Sequence, residues 1–431
     1  MTFGIAPQAT VAKRETHVKP HPPVTRARVP PGGYCVWYGS QGDRPCTCGG
    51  DGHVDRWTDV ASSAGRQGVD VTATEPHGTP ATGEGPALVV RGPGDVGIEP
   101  RSWVPPSGLE VRVTPRHIGL CGTDLEIVGG SMDPDYIRYP LVLGHEWSGT
   151  VAAVGEQVTR VVPGDAVVVE GIIPCSVCQA CRRGHTNLCA VYDELGFMRD
   201  GAAGPSVTTR EHLVHRLDAG VPMESGALVE PASVVLRGLS VMDLQPGASV
   251  VVIGAGTLGL LTAHLVRLWS PARVTVTGRR PAQGELAYAM GADEYSIDRA
   301  KPRSFDVAIE AAGTITAVGS ALEAARRGGQ VLLLGICGHG KTLPLSPDDI
   351  VNNDLRIRGS FGYTAGAWAQ VVALLNAGRV DLQPVVTHRF SLDQFQAALD
   401  TLATPTQAAR GKVLLDGSSH ARTDVPRPDR T

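Results

Sequence analysis

The chain has 431 residues, 19% of them charged, with a formal net charge of −4. That length allows more than one hydrophobic core, while the slight acidity and the lack of a basic stripe exclude an electrostatic nucleic-acid binder. Nothing reads as a signal peptide or membrane anchor, so a cytoplasmic protein with no membrane or nucleic-acid partner is expected.

Residues 1–85 carry prolines at 20, 22, 23, 30 and 31 and glycines at 32, 33, 49, 50 and 52, which break any regular element. Disorder, or an extension from a mis-assigned start, is expected there. Cys35, Cys46, Cys48 and His53 are too irregularly spaced to argue for a metal site. The run Ala87-Leu88-Val89-Val90-Arg91 predicts a first strand. Cys121 then closes the apolar segment His117-Ile118-Gly119-Leu120 and opens Gly122-Thr123-Asp124, and His145-Glu146 follows Pro140-Leu141-Val142-Leu143-Gly144. Both sites lie at strand ends or turns. With Glu230 in Leu228-Val229-Glu230-Pro231 they offer one thiolate, one imidazole and one or two carboxylates, a mixed metal site with a position left for water or substrate. Unpaired carboxylates in such apolar runs would otherwise be costly. Whether Glu146 or Glu230 is the third ligand stays open.

Cys175, Cys178, Cys181 and Cys189 follow the spacing C-x2-C-x2-C-x7-C, which brings four thiolates to one tetrahedral Zn²⁺ through short loops. Gaps of two residues strain a disulfide, and nothing marks the chain as secreted. A fully ligated structural zinc lobe at about 170–195, with no chemistry of its own, is predicted. Thiolates committed to metal suit a reducing compartment.

Ala248–Ile253 runs into Gly254-Ala255-Gly256-Thr257-Leu258-Gly259 and then into the helical Leu260–Val266, giving strand, tight turn and helix start. The glycine turn interrupts the apolar 248–266 run, so two buried elements explain it better than a membrane span. Alternation continues with strands at 273–277, 305–310, 331–334 and 355–360 and helices at 281–290 and 317–327. The pattern predicts an α/β doubly wound parallel sheet binding a dinucleotide through Gly254, Gly256, Thr257, Leu258 and Gly259, with Gly335 and Ile336 after a later strand. Strand 273–277 ends in Gly278-Arg279-Arg280, where an NAD-specific fold carries an acid, and the next acid is Glu285. Arg279 and Arg280 therefore predict NADP as the preferred cofactor, with NAD possible.

These features in this order resemble the zinc-dependent medium-chain dehydrogenase/reductase superfamily over about 86–417. Gly119-Leu120-Cys121-Gly122-Thr123-Asp124 is similar to its first zinc-ligand motif, and Gly144-His145-Glu146 with Gly149, Val154, Gly155 and Gly164-Asp165 to its second. Leu228-Val229-Glu230-Pro231 resembles the Glu-Pro motif of the polyol, glucose and threonine dehydrogenase branches, where simple alcohol dehydrogenases carry cysteine. Two positions depart from the pattern: Glu126 stands where many members have a relay histidine, and Gly201–Ser206 replaces a usual Gly-x-Ala-Glu-Tyr strand entry.

The resemblance implies a Rossmann domain at about 234–372, inserted in a GroES-like, partly β-barrel catalytic domain at 86–233 and 373–417. The polar tail 418–431 is expected to be unstructured. It further implies one structural and one catalytic Zn²⁺, the latter on Cys121, His145 and a glutamate, with Thr123 and Glu146 serving catalysis. The implied reaction transfers hydride between NADP and a secondary hydroxyl of a sugar, polyol or cyclitol. An amino-alcohol dehydrogenase is the alternative enzyme, and a non-catalytic NADPH-sensing protein the alternative of another class. A homodimer or homotetramer is implied as well.

Overall fold

The computed structural model describes residues 82–338 and 340–417. The expectations for the first 81 residues and for the tail beyond 417 lie outside the described residues. The catalytic part begins with β1 (Gly83–Gly92), β2 (Asp95–Trp103), β3 (Glu110–Leu120), β4 (Leu141–Val142), β5 (Glu146–Val154), β6 (Ala166–Val169), β7 (Val207–Arg210) and β8 (Val214–Arg216). Four helices accompany them: α1 (Gly122–Gly129), α2 (Gln179–Arg182), α3 (Met223–Gly226) and α4 (Val229–Ser240). The nucleotide-binding part holds β9 (Ser249–Ile253), β10 (Arg273–Thr277), β11 (Glu294–Ser296), β12 (Phe305–Glu310), β13 (Ala325–Leu333) and β14 (Arg356–Gly359), with helices α5 (Thr257–Leu265), α6 (Gln283–Ala289), α7 (Ile315–Ala324), α8 (Pro347–Asn352) and α9 (Ala365–Asn376). The chain then returns through β15 (Val386–Ser391), α10 (Phe395–Ala403) and β16 (Lys412–Asp416).

Along β3 the inward positions Val111 and Val113 alternate with half-exposed neighbours, as a strand with one buried face requires. β3 lies inside the sheet ordered β15-β16-β3-β5-β6-β8, with β7 paired to it at one end, while β2-β1-β4 forms a second, three-stranded sheet. β9 instead reads Ser-Val-Val-Val-Ile and is buried over its last four residues, the composition of a strand covered on both faces. It sits inside the parallel sheet β11-β10-β9-β12-β13-β14. Strand order reverses between β9 and β12, so the dinucleotide crevice opens at the carboxyl end of β9.

Several boundaries differ from the sequence expectation, each for a local reason. Gly83–Gly85 belong to β1 rather than to the extension ending at 85, because they pair with Arg101–Trp103, and Gly83 leaves room for the Trp103 ring. The expected junctions at 233/234 and 372/373 fall inside α4 and α9. These helices pack against each other in one apolar core that includes Val235, Leu239, Trp368 and Val371, so the two parts are joined by a continuous helix pair. The helix expected over 317–327 stops at Ala324. An irregularity at Gly328-Gly329, with Gly328 at φ 73°, lets Ala325 pair with Phe305 before the main register sets in at Val307 and Gln330. β11 and α8 were too short to stand out from their loops.

A second link between the two parts runs through Tyr363, just beyond β14. Its hydroxyl, fully buried, accepts from the backbone N–H of Gly171 at 2.8 Å and of Ile172 at 3.0 Å. On either side Asn187 donates to the Phe361 carbonyl at 2.6 Å and Ala365 N–H to the Thr186 hydroxyl at 3.0 Å. The nucleotide-binding part is thus hydrogen-bonded to the segment that contains the cysteine lobe. Tyr363→Phe should leave two buried N–H groups unpaired at a cost of about 1–3 kcal/mol each. Equilibrium denaturation of the variant should show that loss, and a stability equal to the parent would mean the hydroxyl does not hold this junction.

Candidate active site

Cys121 follows β3 and caps α1. Its sulfur accepts from Thr123 N–H at 3.3 Å while the Asp124 carboxylate accepts from Cys121 N–H at 2.8 Å, a capping box in which sulfur takes the usual hydroxyl's place. The box fixes the thiol and buries Asp124 completely. His145 arrives from the opposite side through Gly144, whose φ of 103° lies in the region that favours glycine, and where a Cβ would sit 2.8 Å from Ile118. The turn is held from behind by Ala202 N–H to Gly144 O and Ala203 N–H to Leu143 O, both 2.8 Å. The small residues at 201–203 have a reason here: a Cβ on Gly201 would come within 2.6 Å of the Leu143 carbonyl.

As a result His145 Nε2 stands 3.4 Å from Cys121 Sγ, and its Nδ1 faces Asp124 Oδ1 at 3.7 Å, both of the latter atoms buried with no hydrogen-bond partner. A carboxylate facing Nδ1 favours the tautomer that leaves Nε2 as a lone-pair donor beside the sulfur. Burial opposes a charged His145, yet Cys121 and Asp124 outweigh it and raise its pKa well above the usual value. His145 also belongs to a second group with Glu146 and Glu230, with ligand atoms within 4.8 Å of one another. His145 thus shares one group with Cys121 and Asp124 and a second with Glu146 and Glu230. Asp124 had no assigned role in the sequence.

Glu146 is positioned by register. It pairs with Gly119 across β3 and β5, and its side chain folds back over the space a Cβ on Gly119 would occupy. There it meets Lys412, the first residue of β16, whose ammonium ion-pairs with Glu146 Oε2 and donates to the Leu120 carbonyl at 3.3 Å. Lys412 is 1% exposed and Glu146 2%. Burial opposes the lysine charge, but Glu146 and Cys121 prevail and raise its pKa. Glu230 lies in the first turn of α4; burial, then the Glu146 charge, push its carboxyl up to about 8. Glu194, buried and bonded to the Tyr192 hydroxyl, is pushed up to about 7, chiefly by burial. Sequence reasoning missed Lys412, Glu194 and Tyr363. Only Lys412 left a signal, a lone cation opening the apolar run Val413-Leu414-Leu415.

The four cysteines of the lobe have ligand atoms within 4.8 Å of one another, and none of the six described cysteines is in a disulfide. Backbone N–H groups point at the sulfurs: Cys178 to Cys175 at 3.4 Å, Cys181 to Cys178 at 3.5 Å and Cys175 to Cys189 at 3.3 Å. Such donors hold Cys178 down to about 6, led by the N–H of Ala190, while burial pushes Cys181 up to about 12. A divalent cation would keep all four ionised, so the donor set fits zinc.

At the crevice Gly254 has φ 113°, and a Cβ on Gly259 would overlap the Gly254 carbonyl. Gly256 caps α5 with open space where a Cβ would project, a cradle that suits a pyrophosphate at a helix start. Gly335 is equally confined, against Gly313, and Ile336 is exposed beside it. Arg279 is exposed at the end of β10, whereas Arg280 is turned inward to Gln283 Oε1 at 3.0 Å and the Arg410 carbonyl at 3.5 Å. The two arginines are therefore not equivalent.

Residues 107–219 match the family model of the alcohol dehydrogenase GroES-like domain, and 223–409 that of the glucose dehydrogenase C-terminus. A sorbitol dehydrogenase of Bacillus subtilis is 32% identical over 304 residues, 68% of this chain and 86% of the relative. An L-threonine 3-dehydrogenase of Anaeromyxobacter sp. (strain Fw109-5) is 32% identical over 327 residues, 73% of this chain and 93% of the relative. Among solved structures, a Sinorhizobium meliloti 1021 protein assigned as a zinc-binding dehydrogenase and bound to NADP superimposes with TM-score 0.72 at 27% identity, covering 78% of this chain and 99% of its own.

Lys412→Met should leave Glu146 buried without its cation, a loss of about 3–5 kcal/mol in chemical denaturation. Lys412→Met with Glu146→Gln should recover most of it, since a neutral pair avoids the desolvated charge. If the double variant is no more stable than Lys412→Met, the ion pair does not account for the loss.

Proposed function

Because the chain belongs to the zinc-dependent medium-chain dehydrogenase/reductase superfamily, we propose that it transfers hydride between a secondary hydroxyl of a sugar, polyol or cyclitol and NADP. The observation that carries this reading is the donor set around His145: a thiol at 3.4 Å on one side and two buried-edge carboxylates on the other. In it Cys121, His145 and one of Glu146 and Glu230 hold the catalytic metal, and Cys175, Cys178, Cys181 and Cys189 hold the structural one. When bound, zinc supplies a Lewis acid for the hydroxyl and NADP⁺ a hydride acceptor. Asp124 presents its buried carboxylate to Nδ1 of the His145 ring. Lys412 offsets the charge of Glu146. Thr123, anchored beside Cys121, takes the hydroxyl proton and passes it outward.

A polyhydroxylated substrate is supported by the sorbitol dehydrogenase relative and by the glucose dehydrogenase match to the C-terminal half. An amino-alcohol substrate has the threonine dehydrogenase relative in its favour, but Glu126 stands where the relay histidine would be expected. A non-catalytic sensor would have no need of the metal-ligand set that Cys121 and His145 retain. For the cofactor, exposed Arg279 and the lack of an acid at the end of β10 favour NADP, with NAD as the weaker ligand. The thiol-rich metal sites favour the reducing cytoplasm. Among the described residues no helix is long and apolar enough to cross a membrane. A homodimer or homotetramer is supported by β14, whose four residues are all exposed at the edge of the parallel sheet.

Initial rates over a panel of sugars, polyols, cyclitols and amino-alcohols with NADP⁺ and NAD⁺ test the reading. The polyol or sugar group should turn over fastest, with NADP⁺ preferred. Elemental analysis should give about two zinc per chain, and Cys121→Ser should lose turnover while keeping its fold and one zinc. Full activity in that variant would end the catalytic-metal assignment. Thr123→Val should lower kcat by roughly 10²–10⁴-fold with cofactor binding unchanged. A parental rate across a broad pH range would remove Thr123 from the relay.

A further inference from the structure

The turn between β10 and α6 carries a steric constraint that the catalytic reading does not use. Gly278 follows the last residue of β10, where a dinucleotide fold selective for NAD presents an acid to the ribose. Its backbone is not in the left-handed region, so conformation does not demand glycine there. Space does. A Cβ on Gly278 would lie 3.0 Å from the Ala255 Cβ and 3.0 Å from Tyr295 Cζ, with the Tyr295 hydroxyl closer still.

Neither neighbour is free to withdraw. Tyr295 lies on β11 opposite Val276, its hydroxyl donates to the Arg280 carbonyl at 2.6 Å, and its ring covers Gly284, where a Cβ would stand 3.0 Å from Cδ1. Ala255 belongs to the glycine turn and its carbonyl accepts from Gln283 Nε2 at 2.7 Å. The same amide group donates to the Arg410 carbonyl at 2.9 Å and its oxygen accepts from Arg280. Tyr295, Gln283 and Arg280 thus brace one turn from three sides. Arg279 is the arginine left at the surface.

We propose that Tyr295 is a specificity-determining residue for the dinucleotide: by filling the space over Gly278 it excludes a ribose-binding carboxylate from the end of β10 and reserves that position for a 2′-phosphate met by Arg279. This is selection by exclusion, in which the disfavoured cofactor loses its partner because no side chain can be accommodated. The proposal rests on the NADP reading above.

The full chain tests it in two ways. Thermal unfolding without cofactor reads the crowding itself: Gly278→Ala should lower the midpoint by roughly 3–8 °C in the parent, as overpacking does, and by much less in Tyr295→Val. Tyr295→Phe, which removes only the nearest atom and keeps the ring, serves if the valine variant folds poorly. Calorimetric titration with NADP⁺ and NAD⁺ reads selection. Gly278→Asp alone should lose NADP⁺ affinity without gaining NAD⁺, whereas Gly278→Asp in the Tyr295→Val background should gain NAD⁺ by roughly ten- to a hundredfold over Tyr295→Val. The proposal is overturned if Gly278→Ala costs no stability in the parent, or if Gly278→Asp alone gains NAD⁺ as much as the pair does. A parent that prefers NAD⁺ overturns the cofactor reading and this proposal together; an NADP⁺-preferring parent with either failure overturns the proposal alone.

Discussion

Four carboxyl groups and one ammonium share the desolvated pocket around His145, and the rest of the catalytic part is arranged to make that tolerable. Asp124, Glu146 and Glu194 are buried and Glu230 partly so, while Lys412 is the cation buried with them. Burial is the chief reason that Glu230 and Glu194 hold their protons to about 8 and 7, and at Glu230 repulsion from the Glu146 charge adds to it. A divalent cation between the thiol, the imidazole and a glutamate would relieve that repulsion and make an expensive cluster a ligand set. The pocket is thus better explained by a metal than by stability, since buried ion pairs alone are weak stabilisers.

Glycine makes the crowding possible at two points. Gly119 lets Glu146 fold back over its own sheet, and Gly144 turns the chain so that His145 points at Cys121 instead of continuing the strand. The run Gly201-Ala202-Ala203, which departs from the family pattern, closes behind that turn with backbone hydrogen bonds. It substitutes small side chains for distance and leaves the imidazole where the motif needs it.

The two parts of the chain are coupled by packing and by hydrogen bonds of different range. Helices α4 and α9 share one core, and Glu230 lies in the first turn of α4, so a carboxylate of the candidate site and the helix that supports the nucleotide fold are one rigid element. Tyr363 adds a polar tie to Gly171 and Ile172, at the start of the cysteine lobe and a few residues before Cys175. That placement gives the lobe a mechanical part in holding the site: it anchors the segment against which the nucleotide-binding part rests.

Local chemistry made much of this legible in the sequence. The spacing of the four cysteines, the strand-turn-helix around Gly254 and the strand ends at Cys121 and His145 are all set by residues within a short stretch of chain, where ligand reach, turn geometry and hydrophobic period act directly. Helix boundaries near Ala324 were not legible, because pairing of Ala325 with Phe305 outweighed the helical character of the following residues. Lys412, Glu194, Tyr363 and Tyr295 were hidden for a more general reason. Lys412 acts on Glu146 and Tyr363 on Gly171 from far away in the chain, Tyr295 reaches Gly278 from the neighbouring strand, and Glu194 is buried only in the folded site; burial and distance across a sheet or a domain junction exist only once the strands are in register. The sequence by itself determined which candidate ligands and which glycine turn the protein carries; the tertiary structure decided which charges face one another, which arginine is exposed, and what Gly278 has no room to become.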